Sequence, residues 1–298
     1  MKKILLSVSV IAVVAAVVIG VTTAFFSDTE TSTGNTFTAG SLDLTIDNTC
    51  YYNGMACING HWGGDAKNEP CACTWALSNL DGKVFFNFSD LKPGDTEEDT
   101  ISLHINDNPA WACAEITLTT NDDMSCTEPE LKDDTTCVEG GTLWDGELAQ
   151  NLEFIWWADD GDNVLEVGED VHVVNGNLDY LANSEQFPWF GPAADNKILL
   201  TLSDSTHNFF KPGTIEPLAA KTEYYIGKAF CFGDLTPEPL AYVQGKDKTP
   251  LQGTGIKCDG KLVTNATQSD KFTGDIMFYV EQYRNNPNFK CLENLVRP

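Results

Sequence analysis

The sequence predicts an all-β protein, a jelly-roll-like β-sandwich with long loops stapled by disulfides. Short runs of alternating apolar and polar residues recur along the chain, and segments rich in Gly, Pro, Asn and Asp separate them. No helix-period segment of comparable length competes with these runs. Of the 298 residues, 42% are hydrophobic, so the chain can bury a core and is unlike a disordered one. Long connections favour a jelly roll or a related sandwich over an up-and-down barrel.

The first predicted strand contains Leu42, Leu44 and Ile46 on one face, with polar residues alternating between them. This is the pattern of a half-buried strand. Seven similar runs follow, at residues 84–88, 100–105, 115–119, 152–157, 197–202, 223–232 and 276–282. Because no internal repeat or low-complexity linker interrupts them, residues 39–298 are predicted to form one elaborated sandwich domain.

The charge balance excludes one class of partner. The chain has 18 Lys and Arg against 44 Asp and Glu, which gives a net charge of −26. A surface this acidic repels phosphate groups, so no nucleic-acid partner is expected.

The N-terminus predicts export. Lys2 and Lys3 precede an uncharged apolar stretch at residues 4–26, and small residues at Thr22 and Ala24 fit a cleavage site. We expect residues 1–24 to be a signal peptide and the mature protein to be secreted, to the extracellular space or the cell surface. The alternative is an uncleaved anchor, since the stretch is long enough to span a bilayer. In that case the membrane is contacted only through this leader.

The residues after the leader carry a resemblance. The chain reads AFFSDTE at residues 24–30 and NTFTAGSLDL at residues 35–44, followed by an LKPGD turn at residues 91–95 and FYVEQ at residues 278–282. This pattern resembles the TasA/camelysin family of exported biofilm-matrix proteins, whose precursors are cut by a SipW-type signal peptidase. The ten cysteines and the long segment at residues 145–271 exceed the compact family pattern.

The resemblance implies assembly by strand exchange and a structural subunit of extracellular fibres. Residues 25–38 are then a donor strand that completes the sandwich of the next subunit, with Phe25, Phe26 and Phe37 as polymerisation residues that fill its pockets. The expected partners are other copies of this chain, in a head-to-tail homopolymer, and the signal peptidase. The alternative is that the segment folds back into its own sandwich or stays disordered.

Ten cysteines in an exported chain predict disulfides. They fall into groups of four, three and three along the chain: Cys50, Cys57, Cys71 and Cys73; Cys113, Cys126 and Cys137; Cys231, Cys258 and Cys291. Since two groups are odd, full pairing requires at least one bridge between groups. Cys71 and Cys73 are expected to take separate partners. The alternative is a zinc site made of Cys57, His61, Cys71 and Cys73, although this spacing matches no common zinc pattern.

A cluster of acids predicts a calcium loop. Asp160, Asp162, Glu166 and Glu169 surround two glycines just after a predicted strand. Carboxylate oxygens are the ligands that Ca²⁺ prefers, and its coordination geometry tolerates irregular loops. The register does not fit an EF-hand, because Trp156 stands where the first acid belongs. The alternative interpretation is a solvated acidic turn.

Two other functions remain open. A calcium-dependent adhesin or glycan-binding module would use a platform of aromatic side chains that stack on sugars, namely Trp156, Trp157, Trp189, Phe187 and Phe190. Because Trp156 and Trp157 are adjacent in a predicted strand, they face opposite sides, and we expect at least one of them to be exposed. A camelysin-like metallopeptidase is the third hypothesis. We expect no enzyme, because the metalloprotease, hydrolase and nucleotide-binding motifs are absent and no catalytic residues can be assigned.

Overall fold

The structure is a computed structural model that describes residues 27–31, 42–63, 69–140, 144–174, 197–241 and 249–294. Its strands are β1 (Ser27–Thr31), β2 (Leu44–Tyr52), β3 (Met55–Ile58), β4 (His61–Trp62), β5 (Trp75–Ser78), β6 (Thr96–Ile105), β7 (Ala110–Asp123), β8 (Leu152–Asp159), β9 (Val171–Val174), β10 (Lys197–Ser203), β11 (Thr222–Phe232), β12 (Asp234–Pro237), β13 (Ile256–Asp259) and β14 (Asp270–Gln282). Short 3₁₀ turns lie at Glu130–Lys132, Ala149–Asn151, Pro250–Gln252, Asn265–Thr267 and Tyr283–Asn285, and a helical turn at Cys291–Asn294.

Two antiparallel sheets form the body of the protein. The smaller sheet has the order β1-β14-β7-β10, so its first and second strands come from opposite ends of the chain. The larger sheet has the order β4-β3-β2-β6-β11-β8-β9, with β5 paired to β2, and β12 and β13 form a separate hairpin. The predicted all-β class is confirmed. In the described part of the chain, we find no helix with the length and apolarity needed to cross a membrane.

The main core lies between the two sheets. Leu44, Ile46 and Ile101 contribute to it from the larger sheet, and Leu200 and Phe278 from the smaller one. In β2 the core residues alternate with polar ones, as the sequence pattern predicted. Seven of the eight predicted strands are present, several of them longer than expected.

The strand predicted at residues 84–88 is wrong. This segment has no ladder partner, because its aromatic side chains fill the space between the sheets instead of one face of a sheet. Phe85 packs on Trp75 and Phe278, while Phe88 packs edge-to-face against Phe230 of the larger sheet. The alternating pattern therefore belongs to a segment without strand pairing, residues 84–88, whose aromatic side chains cover the core. We call this segment the aromatic plug.

Both adjacent tryptophans are buried, contrary to the expectation that one is exposed. Trp156 faces the main core, and Trp157 packs on the other face of the larger sheet, against Leu165 and against Leu235 of β12. Trp157 lies directly on Gly227 of β11, where an added Cβ would be 2.0 Å from its ring. The remaining aromatics of the predicted platform, Trp189, Phe187 and Phe190, lie outside the described residues.

All ten cysteines are paired, as predicted, in the bridges Cys50–Cys73, Cys57–Cys71, Cys113–Cys291, Cys126–Cys137 and Cys231–Cys258. The required bridge between groups is Cys113–Cys291, and Cys71 and Cys73 have separate partners. The alternative zinc site is wrong, because Cys57, Cys71 and Cys73 are oxidised and supply no thiolate ligand. Five disulfides fit an extracellular protein.

Candidate functional site

The predicted calcium residues lie together in one loop, residues 159–170, which we call the acidic loop. It follows β8 and leads into β9. Carboxylate oxygens of Asp160, Asp162 and Glu166 lie within 4.8 Å of one another, and so do those of Asp159, Asp160 and Glu169. Asp160 is common to both groups. The acidic loop therefore gathers five carboxylates into two adjoining groups of three, and each group offers the oxygen ligands that a hard cation prefers.

Asp159 shapes the first half of the acidic loop. Its Oδ2 accepts hydrogen bonds from the backbone N–H groups of Gly161 and Asn163, at 2.9 and 3.2 Å. Its Oδ1 accepts from the Trp157 indole at 3.0 Å, which fixes the carboxylate at the end of β8. Gly161 and Asn163 have φ values of 108° and 65°, and these left-handed residues turn the chain back over Asp159.

The second half of the acidic loop is anchored to a neighbouring segment. Leu165 is fully buried, donates its N–H to the Thr254 carbonyl at 3.0 Å and accepts from Leu240 at 2.9 Å. Gly255 packs so closely that an added Cβ would lie 2.1 Å from the Leu165 oxygen. This anchoring presents the carboxylates on a fixed backbone, so little ordering entropy remains to be lost on binding.

The electrostatics of the acidic loop favour a cation. Burial, followed by repulsion from Asp159 and Asp160, raises the pKa of Asp162 to about 7. Burial likewise raises the pKa of Glu169 to about 8. Asp162 is 8% exposed, and its Oδ2 has no hydrogen-bond partner among the described residues, nor has either carboxylate oxygen of Asp160. A bound divalent cation would supply the missing partner and remove the repulsion.

A second carboxylate group was missed by the sequence reasoning. Asp123 ends β7 and Asp270 begins β14, and the two are directly opposite each other in the sheet. Their carboxylate oxygens lie within 4.8 Å of each other and of Glu147. Asp270 also accepts the backbone N–H groups of Glu147 and Leu148, at 2.7 and 2.9 Å. The sequence does show an acid at one end of each of these strands. It does not show that β7 and β14 pair, which is what brings Asp123 and Asp270 together.

The predicted donor segment is described in part. Phe25, Phe26 and Phe37 lie outside the described residues. Residues 27–31 form β1, which pairs antiparallel with β14 of the same chain, from Ser27 opposite Glu281 to Thr31 opposite Met277. The structure therefore shows the arrangement in which the segment completes its own sheet.

A family model matches the N-terminal part of the chain. Residues 1–56 match the family described as camelysin metallo-endopeptidase. No curated protein matches the chain. The matched region contains the predicted leader, β1 and β2, which is where the sequence resemblance is most specific. Over these residues the chain is similar to that family.

Proposed function

We propose that the protein is a secreted structural subunit of extracellular fibres that assembles by donating β1 to the next subunit. The observation that carries the proposal is the position of β1. It is an edge strand of five residues at the N-terminal side of the chain, and it pairs with β14 at the edge of the smaller sheet. If β1 leaves, the backbone donors and acceptors of β14 become a template for an equivalent strand.

The chain has the length needed for exchange. Residues 32–43 separate β1 from β2, and an extended segment of this length spans about 40 Å. Strand and acceptor edge are different surfaces, so the contact between subunits is heterologous and propagates into a filament. A donated β1 would pair with β14 of the next subunit in the same register as it pairs with β14 of its own chain, because the hydrogen bonds formed are identical.

Engineered cysteines at one register pair test the proposal. Thr31 lies opposite Met277, so we would prepare Thr31→Cys and Met277→Cys as separate variants and mix them under oxidising conditions. Strand donation predicts disulfide-linked dimers that contain one copy of each variant. Each variant alone is the matched control, and the double variant reports the arrangement within one chain.

Two results would contradict strand donation. One is an internal bridge in the double variant together with no mixed dimer, which would confine β1 to its own sheet. The other is normal filament formation by a chain that lacks Phe25 to Gly34, seen in negative-stain micrographs beside the intact mature chain.

We also propose that the acidic loop binds Ca²⁺ and stabilises the subunit. The five carboxylates and the net charge of −26 support this proposal, since a cation relieves repulsion both in the loop and between subunits. Calorimetry at millimolar calcium should show binding that Asp162→Asn weakens. Asp275→Asn on β14 is the matched control, because it removes the same charge away from the loop. Equal heats for both variants would contradict the site.

A second candidate function is calcium-dependent glycan binding. A groove of about 400 Å³ adjoins the acidic loop and is lined by Tyr51, Tyr225 and His104, side chains that can stack on sugars and hydrogen-bond to them. A glycan array with calcium and with EDTA tests this function, and calcium-dependent binding lost in Tyr225→Ala would support it.

We propose no enzymatic role. The family description names a metallo-endopeptidase, but the match ends at residue 56, before the carboxylate groups described above. A protease assay on casein with and without zinc tests this, and zinc-dependent cleavage by the purified protein would overturn it.

A further inference from the structure

A lysine and two carboxylates are buried inside the sandwich, apart from the acidic loop. Lys228 of β11 is 1% exposed, and Glu97 and Asp99 of β6 are fully buried. Lys228 lies directly opposite Asp99 in the ladder, and Glu97 is two residues away on the same face of β6. This face looks into the main core, since Trp156 lies opposite Lys228 on the other neighbouring strand.

The three side chains are in contact. Lys228 Nζ lies 2.5 Å from Asp99 Oδ2 and 2.7 Å from Glu97 Oε2. The other oxygen of Asp99 accepts a hydrogen bond of 2.8 Å from the side-chain amide of Asn48. Phe86 of the aromatic plug lies over Nζ, 5.8 Å away. The Asp99 carboxyl is thus held between an amine and an amide donor, out of contact with solvent.

The buried charges do not balance if all three groups ionise, because two carboxylates face one ammonium. Burial and then the Asp99 charge raise the pKa of Glu97 well above its ordinary value, so Glu97 retains a proton. Burial by itself lowers the pKa of Lys228, although Asp99 and Glu97 together raise it. The interior therefore holds one ion pair beside one neutral carboxylic acid, and moving a proton from Nζ to Asp99 removes both charges.

We propose that Lys228 and Asp99 condense to form an intramolecular isopeptide bond, with Glu97 as the proton carrier. The geometry is that of a nucleophile in contact with an acyl group and with an acid–base residue. Because the fold already holds the Lys228 amine against the Asp99 carboxyl in a site closed to water, the reaction is intramolecular and needs no bimolecular encounter.

The step is balanced within the three residues. A proton passes from Nζ to the Asp99 carboxylate, and the neutral amine then attacks Asp99 Cγ to form a C–N bond. Asn48 donates to Oδ1 as negative charge develops there. Glu97 gives its proton to Oδ2 and receives one from the attacking nitrogen. The Cγ–Oδ2 bond breaks, one water molecule leaves, and no oxidant or other reactant is consumed.

The product ties two central strands of the larger sheet. β6 and β11 are neighbours there, and the bond would join them through the core rather than through a loop. A neutral amide also replaces a buried ion pair, whose desolvation is costly.

Mass spectrometry tests the isopeptide bond on the intact protein. The reduced and alkylated wild-type chain should weigh less than its sequence by one water molecule. Trypsin should leave Lys228 uncut and release a branched product that joins residues 84–132 to residues 222–246. A wild-type mass equal to the sequence mass, with complete cleavage at Lys228, would overturn the proposal without any variant.

Three variants assign the roles. Lys228→Arg keeps a cation but offers a poor nucleophile, so it should show the full mass. Glu97→Gln should slow or abolish the loss of water, whereas Glu98→Gln, the same change at the adjacent residue, should leave it intact. Loss of water that persists in Lys228→Arg would place the modification elsewhere and overturn the bond. An unchanged rate of loss in Glu97→Gln would overturn the role of Glu97.

Discussion

The bridge Cys113–Cys291 should contribute more to stability than the bridge Cys126–Cys137. The two differ in loop length, with sequence separations of 178 and 11 residues. In the chain-entropy model, closing these loops restricts the unfolded chain by about 5.2 and about 2.8 kcal/mol at 25 °C. Replacing both cysteines of a bridge by alanine should therefore cost about 2.5 kcal/mol more at the longer bridge.

Packing acts in the same direction. Cys113 and Cys291 are fully buried and belong to a satellite core with Trp111, Leu199 and Phe289. Removal of their sulfur atoms leaves a gap there, which adds to the cost. Cys126 and Cys137 are only partly buried, so their replacement removes little contact.

Urea denaturation of the two double-alanine variants and the wild type measures the difference. The free energy of unfolding should fall in the order wild type, then the short-bridge variant, then the long-bridge variant. An equal loss in the two variants, or the reverse order, would refute the argument from loop closure. The m-value should rise in both variants, because the unfolded chain expands when a cross-link is removed.

Three further outcomes are expected. In EDTA, the free energy of unfolding should fall as the pH rises from about 4.5 to 8. The pKa values of Asp162 and Glu169 in the folded protein are about 7 and about 8. These groups therefore keep their protons at a pH where the same groups of the unfolded chain have lost them. Saturating calcium should flatten this fall, and thermal melts with and without calcium measure it. Gly227→Ala should destabilise the fold by about 3 kcal/mol or more in urea titrations, because its Cβ collides with the Trp157 ring. Alkylation of the unreduced protein should label no cysteine in a mass spectrum, and label on several cysteines would contradict the bridges.

Local patterns predicted most of the strands, because alternation on one face is a property of a few consecutive residues. The counting of cysteines also succeeded, since two odd groups force a bridge such as Cys113–Cys291. The aromatic segment at residues 84–88 shows the limit of such reasoning, because a plug and a strand bury alternate residues in the same way. The acidic loop was found because its carboxylates lie within twelve consecutive residues of the sequence.

Sites that depend on strand register were not predictable. Asp123 meets Asp270, and Asp99 meets Lys228, only because β7 pairs with β14 and β6 pairs with β11. Each register is set by which face of a strand packs on the core, and a shift of one residue would separate the groups. A single sequence specifies these faces but not which strands become neighbours.

The buried carboxylates differ in what is available to compensate their charge. The acidic loop and the group at Asp123, Glu147 and Asp270 lie at ends of strands, where covering loops meet solvent, and no ion pair of the described residues joins Asp123, Glu147 or Asp270 to a base. Their charge can be compensated by protons or by the cations proposed above, and that compensation would depend on the medium. Asp99 lies in the closed core, where Lys228 is the one basic side chain of the described residues that forms an ion pair with it. The counter-charge there comes from the chain itself, and the proposed isopeptide bond would remove both buried charges by joining Lys228 to Asp99.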